Sequence, residues 1–94
     1  MAVEVLKVAG NTPCTKLAGA IAGIVTKGND CELLSIGAGP LNQTIKALCI
    51  AQRMLAPNGV VLSFRPGFVS LDLSQEKGGK SDVTAIRIKV LVDK

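Results

Sequence analysis

The sequence predicts an α/β two-layer sandwich of order β-α-β-α-β-β, with a mixed four-stranded sheet in the order 1-2-4-3 and two helices on one face. Three observations predict it. Two helix-period segments, each with a proline near its start and a glycine at its end, alternate with β-branched runs. The last third of the chain keeps a strand period on both sides of a polar, glycine-containing tip. The chain has 94 residues, of which 48% are apolar and 2% aromatic, so it is expected to form a single domain (1–94) around one aliphatic core.

Val3-Glu4-Val5-Leu6-Lys7-Val8 alternates and is β-branched, so it reads as the first strand, broken by Ala9-Gly10-Asn11. Thr12 is the expected N-cap and Pro13 the first helical residue, because proline lacks the amide that would go unpaired there. Leu17, Ile21, Ile24 and Val25 share one stripe, and Lys27-Gly28 ends a helix expected over Pro13–Lys27. Its small residues, Ala18, Gly19, Ala20, Ala22 and Gly23, permit close approach by a sheet or another helix.

Cys31–Ile36 reads as the second strand. Gly37-Ala38-Gly39-Pro40 then turns into a second helix with Leu41, Ile45, Leu48, Gln52 and Leu55 on its inner face, ended by Pro57-Asn58-Gly59. Val60–Arg65 is the third strand. Pro66-Gly67 is expected to kink it, at an edge or a bulge, before Val69, Leu71 and Leu73 resume alternation. Gln75–Asp82 forms the hairpin tip. Val83–Val92 returns with Ile86, Ile88, Val90 and Val92 on one face and Arg87 and Lys89 on the other.

Handedness sets the strand order. Two right-handed crossovers with both helices on one face must step in the same direction, so the third strand lies beyond the second. The apolar last strand fills the gap between them, which gives 1-2-4-3. The opposite sheet face is left open or is covered by another chain.

The composition also excludes functions. Histidine is absent, which removes the Ser-His-Asp and Cys-His arrangements and the commonest zinc ligand. Cys14, Cys31 and Cys49 lie 17 and 18 residues apart with no CxxC pair, so neither a metal site nor a disulfide framework is expected. Cys14 stands in the first turn of a helix but has no base beside it, and Cys31 and Cys49 read as small buried apolar residues. The carboxylates are scattered. No catalytic residue, metal or cofactor is expected, and the protein reads as non-enzymatic. Free thiols without a secretory leader point to the cytoplasm. The longest uncharged runs, Leu17–Thr26 and Leu33–Ile45, are too short to span a bilayer, so no membrane partner is expected.

The net charge is +4, and seven of the eleven Lys and Arg residues fall in residues 48–94. Arg65 at the expected kink, Lys77 and Lys80 at the tip, and Arg87 and Lys89 on the last strand form a basic arm and face. Two readings stand: a track for a phosphate backbone, or a solvated face with charges that guard an edge. Without an aromatic platform, base-by-base reading of a single strand is disfavoured. Gly37 and Gly39 lie in a strand-to-helix turn whose amides suit an anion. The third glycine of a dinucleotide fingerprint is replaced by Asn42, and a tight packing turn is the competing account. Asn42 and Gln43 either cap that helix or bind a ligand or partner.

Val5-Leu6-Lys7-Val8, Leu17-Ala18-Gly19-Ala20-Ile21-Ala22-Gly23, Ile36-Gly37-Ala38-Gly39-Pro40-Leu41-Asn42-Gln43 with Ile45-Lys46-Ala47, Ala56-Pro57-Asn58-Gly59-Val60 and Thr84-Ala85-Ile86 together resemble the stage V sporulation protein S family. The resemblance runs through nearly the whole chain. It implies an Alba-like fold, a role in bacterial sporulation and, by way of the Alba proteins, dimers that bind nucleic acid. Alba proteins carry paired lysines after the first strand, where this chain has Ala9-Gly10-Asn11, and an arginine-rich turn where it has Gly37-Ala38-Gly39-Pro40. The basic arm (Arg65, Lys77, Lys80) matches the Alba pattern in kind. The expected function is that of a dimeric or higher-oligomeric nucleic-acid-binding regulator. The alternative is a protein–protein scaffold or adaptor in sporulation or development, and a weaker third reading puts a nucleotide or other small molecule at Gly37–Gln43.

Overall fold

The computed structural model describes residues 2–72 and 82–93. The elements run β1 (Val3–Val8), α1 (Cys14–Thr26), β2 (Asp30–Ser35), α2 (Ala38–Leu55), a 3-10 turn (Ala56–Asn58), β3 (Val61–Asp72) and β4 (Asp82–Asp93). The sheet order is β1-β2-β4-β3, as handedness requires. β1 and β2 are parallel, with Val3 opposite Asp30 and Val8 opposite Ser35; β4 is antiparallel to both β2 and β3.

The core is aliphatic. Ile21 from α1, Leu33 from β2 and Ile88 from β4 are fully buried between the layers, with Ala18, Ala47 and Ala51 where the helices meet. The alanines let α1 and α2 approach closely. The buried stripe of α2 is Thr44, Ala47, Leu48, Ala51 and Leu55: Leu48 and Leu55 are buried as expected, while Thr44, Ala47 and Ala51 take the places expected for Leu41, Ile45 and Gln52. Leu41, Ile45 and Gln52 are left half-buried along its border. Thr44 enters the core because its hydroxyl donates to the Pro40 carbonyl at 2.9 Å.

Three local expectations are corrected. Pro13, with φ −66° and ψ 128°, is the residue before α1 and not its first turn. Thr12 does not cap the helix; its Oγ1 accepts the Ala9 N–H at 2.9 Å and closes the loop behind β1. β3 is one continuous strand with unbroken register from Val61 to Asp72, so Pro66 neither bulges nor interrupts it. The Leu62 N–H points away from β4, toward Gln52, and alternation turns Pro66 to the same free edge, where its missing N–H breaks no ladder bond.

Of the thiols, Cys31 is buried as expected, whereas Cys49 is exposed and Cys14 half-buried. Burial, and after it the charges of Glu4 and Glu32, push the Cys31 thiol up to about 11. A thiol held protonated by the fold contributes stability below its ordinary value of 9.0, and that contribution is lost as pH rises through about 11. Alkylation at pH 8 should therefore modify Cys49 first and Cys31 only after unfolding. Cys31→Val should lose less stability than the parent between pH 9 and 11. Fast native-state labelling of Cys31 would contradict the packing.

Gly19 and Gly23 lie on the exposed side of α1, where an added Cβ meets nothing within 4 Å. Gly19→Ala and Gly23→Ala should each stabilise the fold by about 0.5–1 kcal/mol. Denaturant midpoints measure this, and a loss of stability would show that this face is packed against something.

Candidate functional site

The strand register assembles a basic face on the side of the sheet away from the helices. Arg65 on β3 stands directly opposite Lys89 on β4, and Arg87 stands opposite Gly67. On the other side of β4, Glu32 lies opposite Lys89 and Leu34 opposite Arg87. β1 adds Val5 beside Glu32 and Lys7 beside Leu34. Two rows result: Val5-Glu32-Lys89-Arg65 and Lys7-Leu34-Arg87-Gly67. All four cations are exposed, and Glu32 and Leu34 are half-buried.

Arg65 and Lys89, which the sequence put on separate features, are thus neighbours. Like charges directly opposite each other are destabilising, in a class of pairs worth about 0.2–1 kcal/mol. Among the described residues neither makes an ion pair; the pair present is Lys27 Nζ to Glu4 Oε2 at 3.0 Å, on the helix side. The Glu4 carboxyl, which also accepts from Asn29 Nδ2 at 2.8 Å, is held below the usual range by that bond and by Lys27. Charge is graded along the open face. Asp30 and Asp93 lie toward one end, and Lys7 and Arg87 toward the end where β1 and β2 finish. Lys77 and Lys80 lie outside the described residues.

The same end holds the glycine turn. Gly37 adopts φ 94°, a left-handed conformation that favours glycine, and so β2 can turn at once into α2. Neither α1 nor α2 carries a side-chain cap or an acidic residue in its first turn. Asn42 and Gln43 accordingly do not cap α2. Gln43 Nε2 donates to the Thr12 carbonyl at 2.6 Å and ties the starts of the two helices together, so that donor is already used. Asn42 is exposed, and Gly39 lies with its would-be Cβ 3.9 Å from the Gly10 Cα. Ser35 Oγ, at the end of β2, is buried without a hydrogen-bond partner among the described residues.

A second feature lies on the helix side. An apolar groove of about 370 Å³ runs between α2 and β3, lined by Ile45, Leu48, Cys49, Leu62 and Phe64 among others. Gln52 closes its floor: its Nε2 donates to the Val60 carbonyl at 2.8 Å and its Oε1 accepts the Leu62 N–H at 2.6 Å. Further along the same face of β3 stands Phe68, 81% exposed, with Phe64 at 42%. Both aromatic rings are therefore on the side opposite the cations. Among the described residues no helix is long and apolar enough to cross a membrane, and no group of three His, Cys, Asp or Glu could hold a metal ion.

Sequence reasoning missed Lys7. It reads as one polar position of an alternating strand, and only the parallel pairing of β1 with β2 brings it into the row of Arg87. The signal was available in the predicted strand order, once register was added to it.

Among solved structures, the fold is similar to that of Alba from Thermoplasma volcanium, with a TM-score of 0.61 at 16% identity, covering 93% of this chain and 98% of that one. That likeness establishes the Alba-like sandwich. Residues 4–93 match the family described as stage V sporulation protein S (SpoVS), and the chain belongs to that family.

Proposed function

We propose that this sporulation-family protein is a non-enzymatic, cytoplasmic, homodimeric nucleic-acid-binding protein that holds the phosphate backbone on the open face of its sheet. The observation that carries this reading is the unpaired cross-strand couple Arg65–Lys89 with Arg87 beside it. Their mutual repulsion is relieved when a polyanion lies over them, so binding recovers what folding spends. Arg65, Arg87 and Lys89 are the contacts on the sheet, and Lys77 and Lys80, outside the described residues, are proposed as further phosphate contacts. With no side chain among the described residues placed for a sequence code, affinity is expected to be general.

The second copy is assigned to the groove between α2 and β3. Phe68 is a large apolar side chain in water, and on the same strand face lies a cavity rimmed by Phe64 and Leu62. A knob and a hole on one surface suit a two-fold contact, in which each copy fills the other.

Binding titrated with salt against duplex DNA, single strands and RNA tests the first part. On duplex DNA the slope of log affinity against log salt should be about −0.9 per phosphate neutralised. Arg65→Gln with Lys89→Gln should reduce it by about two such contacts and weaken all sequences alike. Absent or salt-independent binding would favour the adaptor reading, in which Asn42→Ala, beside the glycine turn, disrupts partner capture.

Phe68→Ser should weaken self-association at least tenfold while leaving the fold intact. Light scattering then reads 9.7 kDa where the parent protein reads twice that. A parent protein that stays monomeric at micromolar concentration would overturn the dimer.

A further inference from the structure

We infer that the open sheet face is a platform for duplex nucleic acid, on which Lys7 contacts the phosphate strand opposite the one held by Arg65, Arg87 and Lys89. The inference rests on the nucleic-acid reading above and adds the form of the ligand and a residue. The four cations fall into two groups. Arg65, Lys89 and Arg87 lie on the adjacent strands β3 and β4, within about 5–8 Å of one another along the backbone. Lys7 lies across Leu34 from Arg87, two strand spacings or roughly 10 Å away. A duplex presents two phosphate lines across grooves roughly 6 and 12 Å wide, a spacing that long side chains at those two positions reach. A single strand presents one line, and the three cations of β3 and β4 suffice for it.

The surroundings favour the same ligand. Leu34, between Lys7 and Arg87, is aliphatic, the half-buried carboxylate of Glu32 between Val5 and Lys89 leaves room for phosphates only to either side of it, and both phenylalanines lie on the other side of the sheet. Unstacked bases find no ring on this face, whereas a duplex needs only charge. Asp30 and Asp93 repel the backbone at the far end and confine it to the half that holds Lys7 and Arg87. The competing role for Lys7 is to guard β1, an edge strand, against pairing with other chains.

The test measures salt slopes for the full chain and for Lys7→Gln, Arg87→Gln and Lys46→Gln, the last removing an exposed charge from α2. The probes are a duplex DNA, a duplex RNA and a single strand, all of one length and mixed sequence. Lys7→Gln should lower the duplex DNA slope by about 0.9 and leave the single-strand slope unchanged. Arg87→Gln should lower both, and Lys46→Gln neither. A loss confined to DNA or to RNA identifies which duplex the face fits. If Lys7→Gln behaves like Lys46→Gln on both duplexes, or weakens the single strand equally, the inference fails while the nucleic-acid reading survives. If the parent protein binds none of the three, both fail.

Discussion

The placement of β4 between β2 and β3 is the constraint on which the rest of the molecule depends. Two right-handed crossovers over one face carry β3 past its neighbour and leave a gap one strand wide. Only an antiparallel return from the hairpin can fill it, and the sequence of β4 is suited to both sides. Ile86, Ile88 and Val90 point into the core, while Arg87 and Lys89 point out. The same insertion that completes the core therefore sets Lys89 between Glu32 and Arg65, and Arg87 between Leu34 and Gly67. Without β4 in the middle there is neither a closed core nor a basic face.

The helix layer follows from a different economy. With the small side chains of Ala18, Ala47 and Ala51 fully buried, α1 and α2 pack on each other and, together with the sheet, bury Leu33 of β2 and Ile88 of β4. A narrow layer leaves the outer strand under-covered. Hence the groove beside β3, and hence Phe64 and Phe68 at the surface. The chain limits the exposure of that edge with two devices. Gln52 satisfies the Val60 carbonyl and the Leu62 N–H as a neighbouring strand would, and Pro66 withholds a donor midway along. Open-ended sheet extension is thereby discouraged, and side-chain packing into the groove remains as the way for another copy to use this side.

Much of this was legible in the residues, because it depended on period and handedness. β1 was bounded correctly, and the faces of β4 and the strand order follow from alternation and chirality alone. What escaped depended on distance. The inner stripe of α2 is set by how near α1 can come, and a pattern of Leu and Ile does not reveal that alanines will face inward. Cys49 lies toward the groove for the same reason. The continuity of β3 through Pro66 escaped because a proline signals a break unless its missing donor is known to face the edge. Thr12 shows the reverse error: a residue with the right chemistry for a cap serves a loop, because Pro13 keeps extended geometry. At the candidate site, Arg87 and Lys89 were readable from alternation, whereas Lys7 and the meeting of Arg65 with Lys89 required register.

The two faces of β3 and β4 finally explain each other. A two-stranded ribbon that carried cations on both sides would lose the core, and one apolar on both sides would aggregate. Alternation gives this ribbon one face of each kind: Leu62, Phe64 and Phe68 on one side, Arg65, Arg87 and Lys89 on the other. Association of copies through the apolar side leaves the basic side free, because successive residues of a strand cannot point the same way. In the proposed dimer each partner would contribute its own basic face, and the two faces would act on one polyanion at the effective concentration set by a rigid contact. Modest affinity at each face is then enough. That is consistent with a net charge of only +4.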